Sequence, residues 1–171
     1  MSLGADQRMG LIALEVFLAD QTAKYLVRRS MSLTDEHVVI DGFFKFVHWH
    51  NTGAAFSFAD NHNAALAATS CCAFGLLVWF RKRFDVDQIL GQVALGLILG
   101  GIVGNLADRM FIGHVVDFLR FYLYQRGGGE IGFAAFNIAD SAICVGAGLM
   151  LLHSFWAQTA PAPAPARSGD S

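Results

Sequence analysis

The sequence predicts a membrane α-helical protein with four transmembrane helices and a small β element on the outer face of the bilayer. Composition points there first: 54% of the 171 residues are hydrophobic and only 15% are charged. The mean hydropathy of +0.45 lies outside the usual soluble range. Next come three runs free or nearly free of charge, Ala64 to Phe80, Gln88 to Leu106 and Ile131 to Ala157. Each can cross about 30 Å of hydrocarbon at about 1.5 Å per residue. Finally, an alternating segment between the first two spans has strand periodicity, in a chain otherwise built of apolar runs.

The first span, Met9 to Val27, is apolar but carries Glu15, Asp20 and Lys24. Arg8 ahead of it resembles the start of a secretory signal peptide, yet a cleaved apolar region rarely holds two acids, so an uncleaved helix is expected. Between Ser30 and Asn63, Phe44, Phe46, His48 and His50 alternate with Lys45, Val47 and Trp49, and Asp41-Gly42 signals a turn. An extended hairpin follows, its aromatics suited to the headgroup zone. The second span is joined to the third by Arg81-Lys82-Arg83, the densest basic cluster in the chain. The positive-inside rule puts that link, and both termini, in the cytoplasm. Arg28, Arg29, Lys45, Arg109, Arg120 and Arg126 fall on the opposite side and weigh against it.

The third span carries Gly96, Gly100 and Gly104 along one stripe, which lets another helix approach closely. From Ala107 to Glu130 the aromatic run Phe118, Phe121, Tyr122 and Tyr124 suggests a short interfacial helix ending before Gly127-Gly128-Gly129. The fourth span, about 135–157, is interrupted only by Asp140 and His153. One membrane-embedded domain over residues 1–158 is expected. The Pro/Ala-rich tail, 159–171, cannot bury a core and reads as disordered. Cys71, Cys72 and Cys144 lie within spans and read as packing thiols. The net charge of −2 gives no reason to expect nucleic acid as a partner.

Polar residues in these apolar settings carry the chemistry. In GNLADR, Asn105, Asp108 and Arg109 stand at i, i+3 and i+4 on one helix face, so Asp108 is expected to be a structural acid paired with Arg109. Asp20 and Lys24, at i and i+4, earn the same expectation. Asp140 differs, because no basic residue lies within a helical turn of it. An unpaired carboxylate beside hydrocarbon is costly and so is by default functional. Asp117 in HVVDF has Arg120 three residues on, and it should meet Asp140 at one membrane depth if both links lie outside.

The segments ADQTAK (Ala19 to Lys24), NTGAAFSF (Asn51 to Phe58), GNLADR (Gly104 to Arg109), VVDF (Val115 to Phe118) and FNIADSA (Phe136 to Ala142) occur in an order and spacing that closely resemble the bacterial lipoprotein signal peptidases, signal peptidase II. The resemblance spans about Asp20 to Ala142. It implies an aspartic endopeptidase of the plasma membrane with four helices, a small periplasmic β-cradle and a periplasmic helix, working without metal or cofactor. The substrate it implies is a prolipoprotein already carrying diacylglycerol on its lipobox cysteine, cut just before that cysteine; globomycin is the inhibitor, and a monomer in lipid is expected. The catalytic pair carried over is Asp117 and Asp140. Asp20, Lys24, Asn51, Gly53, Gly104, Asn105, Asp108, Arg109, Asn137 and Ala139 match positions that brace the site or bind peptide and inhibitor.

The residues independently suit that chemistry. Hydrolysis by two carboxyls needs one ionised to take a proton from water and one protonated to polarise the carbonyl, and their proximity separates the titrations. Rival classes fit less well. H-E-x-x-H is absent. His48 and His50, with His62 near, lack an evident fourth zinc ligand. Ser57 and Ser141 sit in no nucleophile motif. A proton-relaying transporter subunit would leave NTGAAFS unexplained and would want repeat symmetry between the chain halves.

Overall fold

The structure, a computed structural model, describes residues 3–53, 63–84, 86 and 88–159, the last four as backbone alone. Its elements are α1 (Ala5–Ser30), β1 (Glu36–Ile40), β2 (Phe44–Asn51), α2 (Asn63–Trp79), a 3₁₀ turn (Arg81–Arg83), α3 (Ile89–Phe111), β3 (Val115–Tyr124), β4 (Glu130–Gly132) and α4 (Ile138–Thr159). Ala54 to Phe58 of the NTGAAFSF segment, Ser57 and His62 lie outside the described residues, as does the tail beyond Thr159.

α3 is the axis of the helical layer, and its glycines explain why. A Cβ on Gly96 would stand 2.9 Å from Ile12 of α1, and one on Gly100 would stand 2.6 Å from the Ala13 carbonyl. Gly146 of α4 faces α3 equally closely, 2.6 Å from the Ala94 carbonyl. Bare backbone thus brings both α1 and α4 close against α3, where Ala94, Leu95, Ile98 and Leu99 are buried. Outward, Leu11, Leu14 and Leu18 of α1 and Val145, Leu151 and Leu152 of α4 are exposed. α2 has no buried residue. Among the described residues, only α3 and the Ile138–Phe155 part of α4 are both long and apolar enough to cross a bilayer; α2 is apolar but short, and α1 carries charges.

The four strands form one antiparallel sheet in chain order. The expected hairpin at Asp41-Gly42 is present, with Gly42 at φ +69°. The interfacial helix expected between Ala107 and Glu130 is instead β3, with Glu130 opening β4. β-branched Val115 and Val116 and the aromatics after them prefer the pleated surface that β2 offers. Gly127, Gly128 and Gly129, all at positive φ, make the β3–β4 turn. That pairing also delays the fourth helix from Ile131 or residue 135 to Ile138. There the Asn137 side chain accepts the Asp140 backbone N–H at 2.9 Å, and the Asp140 carboxylate accepts that of Asn137 at 3.3 Å. This reciprocal cap fixes the helix start.

One sheet face lies on the C-terminal turns of α1, where Val116 and Phe118 bury Val27 with Phe46 and Met31 beside them. The ladder slips between Phe46 and Trp49, and the Phe118 and Leu119 N–H groups both donate to the Phe136 carbonyl, at 3.0 and 2.9 Å. Such a bulge re-aims side chains and bends the strand. At the far end of the bundle, Asp6 of α1 meets Arg81 at 3.2 Å and Gln88 meets His153 of α4 at 3.0 Å.

Candidate active site

Five elements converge where the sheet joins the helices: α1 brings Asp20, Gln21 and Lys24; α3 brings Gly104, Asn105, Asp108 and Arg109; the end of β2 brings Asn51; β3 brings Asp117; and the start of α4 brings Asn137, Ala139 and Asp140. Each side chain has a local reason for its position. Asp20 and Lys24 share a helix face one turn apart, and the Gly104 gap admits the Asp20 carboxylate. Asn137 and Asp140 are fixed by the cap they form together.

At the base of the site lies a buried cation. Lys24 Nζ is 2.7 Å from Asp20 Oδ2 and 2.9 Å from Asp108 Oδ2, and it donates to Asn105 Oδ1 at 3.0 Å. The remaining acceptors are used as well. Asp20 Oδ1 accepts the Ala139 backbone N–H at 2.9 Å. Asp108 accepts from the Val116 N–H at 3.1 Å and from Gln21 Nε2 at 3.0 Å. The expected pairing of Asp108 with Arg109 is thereby corrected: neighbours in a helix do not face each other, and the cation comes from α1. Arg109 turns instead to the Asn105 carbonyl, at 3.3 Å, within electrostatic reach of Asp140, Asp117 and Asp108. Asp20, Lys24 and Asp108 are a structural ion network, fully hydrogen-bonded, as buried charges must be.

Above this base the amides distribute the order. With its oxygen held by Lys24, Asn105 must present its amide nitrogen upward, and Nδ2 donates to Asp140 Oδ1 at 2.7 Å. Asn137 Nδ2 donates to Asp117 Oδ1 at 2.9 Å and also to Asn105 Oδ1 at 3.1 Å. Asn51 Nδ2 donates to Asp117 Oδ2 at 2.9 Å, its own oxygen fixed by the Gly53 N–H at 2.8 Å. Gly53 sits at φ +97°, where a side chain would be strained and would collide with Leu66. One residue, Asn137, therefore touches both acids, Asp117 through its side chain and Asp140 through its backbone. Asp117 is 3% exposed, whereas Asp140 is half-buried.

Burial pushes the Asp117 carboxyl up to about 6, and the nearby Asp140 charge adds to the rise against the lowering effect of the Asn51 and Asn137 amides. Two acids with neutral amide donors and, among the described residues, no cation in direct contact are suited to exchanging protons. Among the described residues no group of three or more His, Cys, Asp or Glu could hold a metal ion. His48 is spent on the Met31 carbonyl at 2.9 Å, and His50 stacks on His114 with centroids 3.5 Å apart. Cys71, Cys72 and Cys144 are free and exposed.

The sequence model of the family described as Signal peptidase (SPase) II matches residues 12–156. The chain belongs to the signal peptidase II family. It is 41% identical over 155 residues to the lipoprotein signal peptidase of Syntrophotalea carbinolica, covering 89% of this chain and 93% of that one. It is 38% identical over 143 residues to that of Symbiobacterium thermophilum, covering 84% and 91%. A bacterial membrane enzyme solved by the in meso method at 2.3 Å resolution superposes with a TM-score of 0.73 at 26% identity, covering 94% of this chain and 92% of that one. This signal peptidase II is thus a bacterial-type membrane enzyme.

Two expectations concern its stability. The Asp117 carboxyl, raised when folded, binds a proton that the unfolded chain releases near pH 4. Its contribution is therefore fully present below about pH 4 and is lost as pH rises through about 6. The stability of Asp117→Asn relative to the parent should accordingly rise by roughly 3 kcal/mol between pH 4 and pH 8, measured by denaturation in detergent at each pH. A flat difference would show that burial does not perturb this carboxyl. Gly104→Ala sets a Cβ 2.7 Å from Asp20 Oδ2 and 3.3 Å from Ala139 Cβ. That overpacking should cost about 1–3 kcal/mol, lower the thermal midpoint, and loosen the α1–α3 contact of this signal peptidase II.

Two contributors were missed from the sequence. Gln21 stands inside the ADQTAK segment between two charged residues, and its bonds to Gly104 and Asp108 span 83 and 87 positions. Its place on the motif face was the available signal. The Val116 N–H had none, being backbone.

Proposed function

We propose that this chain is an intramembrane aspartic endopeptidase that removes the signal peptide from diacylglyceryl-modified prolipoproteins, cutting just before the lipidated cysteine, with Asp117 and Asp140 as catalytic pair. The observation that carries this reading is the single residue Asn137 hydrogen-bonded to both carboxyls. Asp117, whose burial favours its protonated form, donates to the scissile carbonyl. Asp140, the more accessible of the two, takes a proton from the attacking water. The tetrahedral species collapses as that proton passes to the leaving amine and Asp117 takes a proton back from one of its two hydroxyls, so the pair again shares one proton. Asn51, Asn105 and Asn137 orient the acids. Asp20, Lys24 and Asp108 tie α1 to α3 and, through the Ala139 N–H, to α4, and Arg109, Gly53 and Ala139 complete the wall.

In this reading all four helices cross the bilayer as one domain over residues 1–158, which is supported by the exposed leucines of α1 and α4. The reactive end faces the periplasm, opposite the basic turn Arg81–Arg83, with both termini and the tail in the cytoplasm of a monomer. Acyl chains on the substrate cysteine stay in lipid while the peptide bond meets water at the sheet–helix junction. Purified protein should cleave a diacylglyceryl-prolipoprotein, lose that activity to globomycin, and keep it through exhaustive chelation, since the carboxyls need no metal to activate water. Inactivation by EDTA with rescue by zinc would reject the aspartic mechanism, and ion flux without cleavage would favour a transporter subunit.

A further inference from the structure

We propose that Trp49, clamped by Arg120, forms the part of the peptide groove that selects the substrate side chain beside the cleaved bond; the inference rests on the peptidase reading above. Trp49 is the direct cross-strand partner of Asp117. Opposed residues leave the same face of a sheet, with Cβ atoms about 4.5–5.5 Å apart. Asn51, two residues along β2 and so on that face too, donates to Asp117 at 2.9 Å. Indole, amide and reactive carboxyl therefore make one continuous surface.

The indole end of that surface is held by a charge-balanced cluster. The Arg120 guanidinium stands 4.6 Å from the Trp49 ring centroid, held by Glu36 at 3.5 Å and Glu130 at 3.4 Å. The same two acids bind Lys45 Nζ, at 2.5 and 2.7 Å, and Lys45 in turn lies 4.5 Å over the Tyr122 ring. Each strand contributes one charge: Glu36 from β1, Lys45 from β2, Arg120 from β3 and Glu130 from β4. With two cations matched by two acids, the half-exposed indole offers a ligand a flat apolar plane rather than a charge. An extended peptide advances about 3.3 Å per residue, so a residue within one or two positions of the bond at Asp117 meets that plane. An apolar side chain gains by packing there. A carboxylate loses hydration and finds Arg120 and Lys45 already paired.

The test uses the purified full chain and synthetic diacylglyceryl-prolipoprotein peptides carrying leucine, alanine or aspartate at either of the two positions before the cleaved bond, or just after the cysteine. At one of these positions the parent should prefer leucine to aspartate by about tenfold or more in kcat/KM. Trp49→Ala should shrink that ratio to about twofold, chiefly by raising KM for the leucine peptide, and Trp49→Phe should keep most of it. An unchanged ratio in Trp49→Ala, a parent without preference, or a loss shared equally by all peptides overturns the proposal. Failure of the parent to cleave any diacylated peptide rejects instead the peptidase reading on which it stands. Should Trp49→Ala not fold, the Asp140→Asn protein with Trp79→Phe and Trp156→Phe retains Trp49 as its only tryptophan. Its emission should shift to the blue with the leucine peptide and much less with the aspartate one; equal or absent shifts overturn the assignment.

Discussion

Asp140→Asn should leave a folded, membrane-inserted protein that binds globomycin but has lost cleavage by roughly 10³-fold or more in kcat. The substitution keeps the volume, and the new side-chain oxygen can still accept the Asn105 amide that reaches Asp140 at 2.7 Å. In the proposed mechanism it removes the group that takes a proton from water. Asp117→Asn should fail to a similar extent for the complementary reason, since an amide cannot cycle the proton that polarises the carbonyl. The double variant should be hardly worse than either single one, because groups acting as one unit are not additive. Single-turnover rates on a diacylated prolipoprotein, alongside globomycin-induced thermal shifts, separate chemistry from binding. Two single losses that multiplied in the double variant would mean that the acids act independently.

The largest loss of stability should come from Lys24→Met. Among the described residues its ammonium is the one cation in contact with both Asp20 and Asp108, at 2.7 and 2.9 Å, in a site where neither acid is more than 3% exposed. Removing it strands two buried carboxylates and should cost about 3–5 kcal/mol. Asp20→Asn and Asp108→Asn each leave a neutral side chain that can still accept hydrogen bonds, so both should be milder and retain some turnover. Adding Asp20→Asn to Lys24→Met should recover part of the loss, a coupling expected of residues in direct contact. Denaturation in detergent reads this directly. If Lys24→Met were no less stable than Asp108→Asn, the network would not be the brace of the site.

The sequence disclosed the parts of this molecule that depend on local pattern. Helices in the apolar runs, the Gly96-Gly100-Gly104 stripe, the alternation from Phe44 to His50 and the i, i+4 spacing of Asp20 and Lys24 each follow from chain geometry alone. Two readings went astray where tertiary pairing outweighed local preference. Val115 to Tyr124 contains an aromatic run that would suit an interfacial helix, yet β2 presents an edge for it and it becomes a strand. Asp108 stands beside Arg109 in the chain, but the helix turns them apart and delivers Lys24 from 84 positions away. Trp49 was hidden for a related reason: its meaning lies in the register that sets it opposite Asp117, and register was not legible before β3 was known to be a strand.

The proposed mechanism assigns the hydrolysis to one amide-bridged pair of carboxyls. It is met most directly by the mass of the products formed from a diacylglyceryl-prolipoprotein in EDTA, comparing the purified parent with Asp140→Asn prepared free of wild-type enzyme. The parent should release an intact signal peptide and a fragment beginning at the lipidated cysteine, and Asp140→Asn should release neither. Substantial cleavage by Asp140→Asn, or a parent product beginning anywhere else, would contradict it.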